Sequence, residues 1–140
     1  MKRLISPILI LVLLLSLCGC AGKTTGEELF GLPEQAMSYT LRHAGQTRLY
    51  FNYAQGDRCA IYQSALRDLK LKPTSKQGAM DRNLYEITTS YTVFNDTNHT
   101  VEEFTIELIV NGNMVLYNDQ WYEANTSHLL RQLKQDFANE

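Results

Sequence analysis

The fold is decided by residues 84–94, which read Leu84-Tyr85-Glu86-Ile87-Thr88-Thr89-Ser90-Tyr91-Thr92-Val93-Phe94. Apolar and aromatic residues alternate there with Glu, Thr and Ser, and a period of two is that of a β-strand with one buried face. The predicted inward face consists of Tyr85, Ile87, Thr89, Tyr91 and Val93. This is the strongest strand pattern in the chain, and the neighbouring segments are expected to pair with it.

A second strand follows the Asn/Asp/Thr-rich turn at residues 95–100. Its predicted core face consists of Phe104, Ile106, Leu108 and Val110. Asn111-Gly112 then has the composition of a two-residue hairpin turn, because both residues tolerate positive φ. That turn would place Val110 opposite Asn113, Leu108 opposite Val115 and Ile106 opposite Tyr117.

Another hairpin is predicted upstream, around a turn at residues 44–46. The predicted inward residues of its first strand are Met37, Tyr39, Leu41 and His43, and those of its second strand are Leu49, Phe51 and Tyr53. Both runs alternate with polar or out-of-phase residues, so one face of the hairpin is expected to be buried.

Two helices are predicted from apolar residues that recur every three or four positions. The first spans residues 58–71, with Asp57 as its N-cap and Pro73 ending it. Its apolar stripe consists of Cys59, Tyr62, Leu66 and Leu69. The second follows a cap at Asn125 or Thr126, and its stripe consists of Leu130, Leu133 and Phe137.

The element order is therefore β-β-α-β-β-β-α, which predicts an α+β fold. We expect an antiparallel, twisted sheet of about five strands, with both helices on one face and the other face largely solvated. Residues 37–140 would form one domain of ordinary size.

The N-terminus has the layout of an export signal. Lys2 and Arg3 precede the uncharged, Leu- and Ile-rich residues 4–17, and small residues follow. A helical membrane span needs about twenty apolar residues, and this run is shorter. An ordinary secretory leader cut near Ala21 and an uncleaved signal anchor both remain open on these residues.

Leu17-Cys18-Gly19-Cys20 resembles the lipobox of bacterial lipoproteins, with Cys18 in place of the commoner Ala or Ser. The resemblance implies that residues 1–19 are a signal peptide and that Cys20 carries a diacylglyceryl group. Residues 20–36 have the composition of a lipidated N-terminus and tether, with Phe30 and Leu32 expected to dock on the domain. Ala21 is not the Asp that retains Gram-negative lipoproteins in the inner membrane. We expect the outer face of a Gram-positive membrane, with a Gram-negative outer membrane as the alternative.

The body of the chain is similar to small uncharacterised lipoproteins of Gram-positive gut bacteria. The similarity lies in the element order and in a helix that ends near a Lys-Pro break, Lys72-Pro73 here. It implies no activity.

Charge and cysteine content exclude several classes of protein. Loss of residues 1–19 removes Lys2 and Arg3 but no carboxylate, so the net charge changes from −2 to −4. With no basic cluster, nucleic acid is not an expected partner. If Cys18 is removed and Cys20 is lipidated, Cys59 alone remains and no internal disulfide can form.

Cys59 is the first candidate for chemistry, because a thiol near a helix N-terminus can have a lowered pKa. A thiol-dependent enzyme would need a partner among His43, His99 and His128. The alternative is core packing, since Cys59 shares a stripe with Tyr62. The histidines lie in separate segments, so no metal or cofactor is expected. Glu102, Glu103 and Glu107 resemble paired carboxylates for acid and base chemistry, but Glu103 and Glu107 lie on the predicted solvent face, so a solvated strand face is the better account.

Aromatic residues suggest a binding surface. Tyr50 is out of phase with its neighbours, and Trp121 and Tyr122 cannot both face inward on one strand. Exposed amphipathic aromatics often mark recognition surfaces. The alternative is that tyrosine simply fills half-buried sheet positions.

Together these features predict a membrane-anchored lipoprotein of the bacterial envelope, with a non-enzymatic domain that binds an envelope protein or peptide. One alternative is a sensor or inhibitor domain for an extracellular peptide or protein. Another is the thiol-dependent enzyme that uses Cys59.

Overall fold

The computed structural model describes residues 22–138, and the predictions for the leader and for Cys20 lie outside them. The described chain is an α+β domain with an antiparallel sheet, which confirms the predicted class. Its elements are β1 (Thr24–Thr25), α1 (Gly26–Phe30), β2 (Ser38–His43), β3 (Gln46–Phe51), α2 (Asn52–Arg67), β4 (Lys70–Pro73), β5 (Tyr85–Asn95), β6 (Thr100–Asn111), β7 (Met114–Tyr117), β8 (Gln120–Ala124) and α3 (Ser127–Ala138).

The strands form one eight-stranded sheet in the order β1-β4-β8-β7-β6-β5-β2-β3. The predictions of about five strands and of two helices are wrong, because the described residues form eight strands and three helices. The additional strands β1, β4 and β8 have only two, four and five residues. Such short segments show no clear period of two, and they become strands by pairing with one another at one side of the sheet.

Residues 24–36, which lie within the predicted tether, are part of the folded body. Gly26 lies against the end of α2, where its N–H donates to the carbonyl of Leu69 at 2.8 Å. A Cβ at Gly26 would lie only 1.8 Å from the carbonyl oxygen of Leu66, so glycine permits this close approach. Phe30 and Leu32 are buried, and the folded body therefore begins near Thr24.

The core lies between the three helices and one face of the sheet. Cross-strand rows of buried side chains line that face, and one of them consists of Leu41, Ile87 and Leu108. Each helix contributes an aromatic ring to this face: Phe30 contacts Tyr117, Tyr62 contacts Tyr39, and Phe137 contacts Tyr85. The predicted burial of Tyr85, Ile87 and Thr89 on β5 is confirmed.

The predicted face of β3 is wrong. The turn consists of two residues, Ala44 and Gly45, with φ of 48° and 83°, so Tyr39 pairs with Tyr50. A one-residue change of register moves every side chain to the other face. Leu49 is consequently 48% exposed, whereas Tyr50 packs against the core.

The hairpin between β6 and β7 differs from its prediction without losing its core face. Asn111 pairs with Met114, so the turn is Gly112-Asn113 and Val110 lies opposite Val115. The predicted partner of Val110 was Asn113, two residues from its actual partner Val115. A shift of two residues in register keeps the same side chains on the core face. Gly112 provides the positive φ of this turn, at 58°.

Helix α2 begins and ends earlier than predicted. It begins at Asn52, with Gln55 in a non-helical conformation, and Asp57 lies inside it rather than at its N-cap. It ends at Arg67, because the chain then enters β4, where Leu71 is buried as a strand residue. The predicted burial of Cys59, Tyr62 and Leu66 is confirmed.

Helix α3 buries Leu129 and Leu133 fully, while Leu130 and Phe137 are only partly buried. The predicted stripe therefore missed Leu129. Asn125 and Thr126 each form a hydrogen bond at the start of the helix. The Asn125 side chain accepts the N–H of Ser127, and the Thr126 hydroxyl donates to the carbonyl of Gly112.

Candidate functional site

Cys59 lies in the wall of a groove of about 550 Å³ between α2 and residues 34–36. It is 3% exposed, and burial raises the pKa of its thiol. Among the described residues, those that line the groove include polar side chains such as Gln35 and Ser64 but no histidine. A reactive cysteine needs a lowered pKa and access, and Cys59 has neither in this geometry.

Thiol labelling distinguishes packing from reactivity. We expect iodoacetamide at neutral pH to label Cys59 in the native protein more slowly than in the urea-unfolded chain, by a factor on the order of 100, because reaction requires local opening of α2. The raised pKa acts in the same direction, since it lowers the thiolate fraction at neutral and mildly alkaline pH. Mass spectrometry of the tryptic peptide 59–67 measures this rate at Cys59 alone. Equal rates in the two states would contradict the packing interpretation.

The three histidines lie in separate parts of the fold. His43 stacks on Tyr85 at 4.0 Å between ring centroids, and its Nδ1 lies 2.9 Å from the carbonyl oxygen of Leu84. His99 is in the turn between β5 and β6, and His128 is in the first turn of α3. Within residues 22–138, no three His, Cys, Asp or Glu side chains are grouped so that they could hold a metal ion.

The three aromatic residues predicted to form a binding surface do not come together: Tyr50 is on β3, several strands away from β8, where Trp121 and Tyr122 are consecutive and face opposite sides of the sheet. Tyr50 faces the helices, where it stacks on Tyr62 and lies under the Arg58 guanidinium, which is 5.8 Å from its ring centroid. Tyr122 packs against the core. Trp121 lies against Gly78 of the loop between β4 and β5, so closely that a Cβ on that glycine would lie 2.5 Å from its ring.

Sequence reasoning missed a buried polar cluster around Asp136. The side chain of this aspartate is fully buried, and its Oδ2 accepts a hydrogen bond from the hydroxyl of Tyr62. Its Oδ1 makes no hydrogen bond and is balanced by an ion pair with Arg58. Burial raises the pKa of Tyr62, so its hydroxyl remains protonated at neutral pH and acts as the donor. The cluster therefore joins α3 to α2.

The second missed feature is a projecting hairpin. Strands β5 and β6 have 11 and 12 residues, but β2 pairs with β5 only as far as Ser90 and β7 pairs with β6 only from Ile109. Residues 91–104, here called the β5–β6 arm, therefore extend beyond their neighbours as a two-stranded ribbon. The unequal lengths of the predicted strands were the signal that could have revealed it.

The arm carries apolar side chains on both of its faces. Tyr91 stacks on Phe104 at 5.4 Å on the face that continues the core. Phe94 and Val101 are paired on the opposite face, where they are 56% and 66% exposed. Side chains of Asn95 and Asn98 accept backbone N–H groups at the tip, which shapes the turn. The β5–β6 arm thus exposes four large apolar residues: Val93, Phe94, Val101 and Phe104.

The arm is also acidic. Residues 83–130 contain no Lys or Arg and seven carboxylates. Three of these, Asp96, Glu102 and Glu103, lie on the arm and are exposed. The predicted exposure of Glu103 and Glu107 is confirmed, and Glu102 is exposed as well. The arm therefore combines exposed apolar surface with uncompensated negative charge.

Comparison of the chain with known protein families, with curated proteins and with solved structures found no match. No helix within residues 22–138 is long and apolar enough to cross a bilayer.

Proposed function

We propose that the chain is a lipoprotein of the bacterial envelope that binds another envelope protein or peptide through the β5–β6 arm. The binding part of this proposal is carried by one observation. The arm exposes Phe94, Val101 and Phe104 on a ribbon whose edges have no strand partner among residues 22–138. Exposed apolar groups on an unpaired ribbon are typical of surfaces that another molecule covers.

The anchoring part of the proposal is carried by the leader and by Cys20, on the outer face of a Gram-positive membrane or in a Gram-negative outer membrane. The position of β1 is consistent with it. Thr24 pairs with Leu71, which pairs with Ala124, and these residues lie at the level where β5 begins. The tip of the arm is ten residues further along β5, or about 33 Å at 3.3 Å per residue. The tip of the arm and β1 are therefore well separated along the strand direction.

Photocrosslinking in intact envelopes tests the binding function. We expect a photoreactive residue in place of Val101 to give a discrete crosslinked product, because this side chain lies on the exposed face of the arm. The matched control is the same residue in place of His128, an exposed position on α3, which should not give that product.

A second variant tests whether the exposed apolar surface is responsible. Phe94→Ser, combined with the photoreactive residue at position 101, should abolish the product while leaving the fold intact, because Phe94 is exposed. The absence of any reproducible product at position 101, or equal products at 101 and 128, would contradict the proposal. A product with a protein added from outside the envelope would favour the sensor or inhibitor function.

A further inference from the structure

We infer that the free edge of β6 binds an extended segment of another polypeptide by strand addition, and that this segment carries Lys or Arg at alternate positions with apolar residues between them. The inference rests on the proposed function, because it states how the β5–β6 arm would recognise its partner. It adds the binding edge, the binding mode and the chemistry of the partner.

The hydrogen bonds between β2, β5 and β6 determine which backbone N–H and C=O groups of β6 point toward its free edge. The N–H of Met37 donates to the carbonyl of Ser90 at 2.7 Å, so Ser90 points its backbone groups toward β2. Tyr91 accordingly points toward its partner Phe104 on β6. Backbone direction alternates along a strand. The odd-numbered residues of β6 therefore point away from β5, and the outward set is Val101, Glu103, Thr105 and Glu107.

These four outward residues have no strand partner within residues 22–138, because the pairing with β7 begins at Ile109. From residue 101 to residue 107 the edge measures about 20 Å, which is enough for a typical strand. Proteins commonly protect such edges with proline, lysine or a bulge. Residues 100–108 contain neither proline nor lysine, and their pairing with β5 is continuous.

The charged side chains at the free edge of β6 determine which kind of strand can pair with it. Glu103 and Glu107 project from the face of the sheet that is opposite the helices, with Thr105 between them. An antiparallel pair of two copies centred on Thr105 would set Glu103 directly against Glu107. Like charges opposite one another destabilise a sheet, whereas opposite charges stabilise it. In that register a second copy of this chain is disfavoured, and a strand with basic side chains on this face is favoured.

The surroundings of the edge define the rest of the partner. On the helix-facing side, an added strand would lie beside Phe104, whose ring stacks on Tyr91 of β5 and extends the apolar surface. On the opposite side, a groove of about 530 Å³ lies where β7 leaves β6. Its walls include the carboxylates Glu107 and Asp119. Arg42, its one cation among residues 22–138, is paired with Glu86 at 3.8 Å. Alternating side chains would thus meet apolar surface on one face and carboxylates on the other. Main-chain hydrogen bonds provide affinity in this mode and side chains provide specificity.

Selection from a library of random peptides tests the inference. The probe is a phage-displayed library of peptides of about ten residues, long enough to cover the edge, and the target is the full-length protein in detergent. We expect selected peptides to alternate Lys or Arg with apolar residues, to bind more weakly as salt is added, and to slow amide hydrogen exchange at positions 101, 103, 105 and 107.

A proline at position 105 separates strand addition from other binding modes. Thr105→Pro removes an outward N–H and no hydrogen bond to β5, and proline is tolerated on edge strands. We expect it to abolish binding of the selected peptides, while Thr105→Ala, which retains the N–H, binds them as the wild type does. Continued protection of the Phe104 and Ile106 amides would show that the proline variant keeps the ladder. The double variant Glu103→Lys/Glu107→Lys should instead select acidic peptides.

Several outcomes would overturn the inference: no selected peptides, peptides without basic residues, equal binding to Thr105→Pro, self-association through this edge in sedimentation, or arm-dependent binding to vesicles of anionic lipid. The crosslinking experiment separates this failure from that of the proposed function. If the product at position 101 persists in Thr105→Pro, the arm binds a partner by another mode and only the strand-addition inference fails.

Discussion

Replacement of Cys20 by serine is expected to abolish incorporation of an acyl label into the protein and to release its cleaved form from the membrane. A serine hydroxyl cannot accept the thioether-linked diacylglyceryl group that the lipobox resemblance implies. Each buried acyl methylene contributes about 0.8 kcal/mol to membrane binding, so the loss of two chains removes stable anchoring. Metabolic labelling with an alkyne fatty acid, followed by fractionation, measures both effects.

The sequence offers a matched control two residues away. Cys18→Ser changes a cysteine in the same segment to the residue that is commoner at that position of a lipobox, and it should retain the label. An uncleaved leader could keep Cys20→Ser on the membrane without a lipid, so the label is the deciding measurement. A Cys20→Ser protein that remains labelled would contradict the lipoprotein interpretation.

Replacement of Asp136 by alanine is expected to lower the free energy of unfolding by about 2–4 kcal/mol. The change leaves the buried hydroxyl of Tyr62 without its acceptor and Arg58 without its counter-charge. It also opens space where α3 meets α2. Chemical denaturation followed by circular dichroism measures the loss.

Two further variants identify the source of that loss. Lys134→Ala, at an exposed position on the same helix, should change the stability by less than about 0.5 kcal/mol. Tyr62→Phe removes the same hydrogen bond from its other partner, so its effect should be less than additive with that of Asp136→Ala. Additive effects, or a wild-type stability for Asp136→Ala, would contradict a coupled structural cluster.

The central strands could be predicted because their pattern is long and regular. Tyr85, Ile87 and Thr89 alternate over enough residues to define a buried face, and Ile106, Leu108 and Val110 repeat the same pattern on the next strand. The face of β3 could not be predicted in this way. Leu49 and Phe51 are more hydrophobic than Arg48 and Tyr50, yet the two-residue turn at Ala44-Gly45 determines which of them faces the helices.

Turn length and long-range pairing therefore limited the prediction of the fold more than hydrophobic pattern did. Strand β4 follows a helical pattern closely enough that Leu69 and Leu71 were predicted to continue the helix. It becomes a strand because β1 and β8 lie on either side of it.

The candidate site was missed for a different reason. Phe94, Val101 and Phe104 have the hydrophobicity of core residues, and an alternating pattern does not indicate where the neighbouring strands end. Exposure of the arm follows from the lengths of β2 and β7, which stop short of it. The burial of Asp136 could not be predicted, because a charged residue on a helix is usually solvated.

The position of β1 determines how the domain would respond to mechanical load. A pulling force on the N-terminus would act first on two residue pairs at the border of the sheet, Thr24 with Leu71 and Thr25 with Lys70. These two pairs would separate one after the other. Phe30 would then have to leave the core before more of the chain could extend. A load between the N-terminus and the arm would also cross β4, β8, β7 and β6, but the contact of β1 with β4 has the fewest residue pairs along this path. Under tension the domain would lengthen at its N-terminal border while the strands that carry the arm kept their shape.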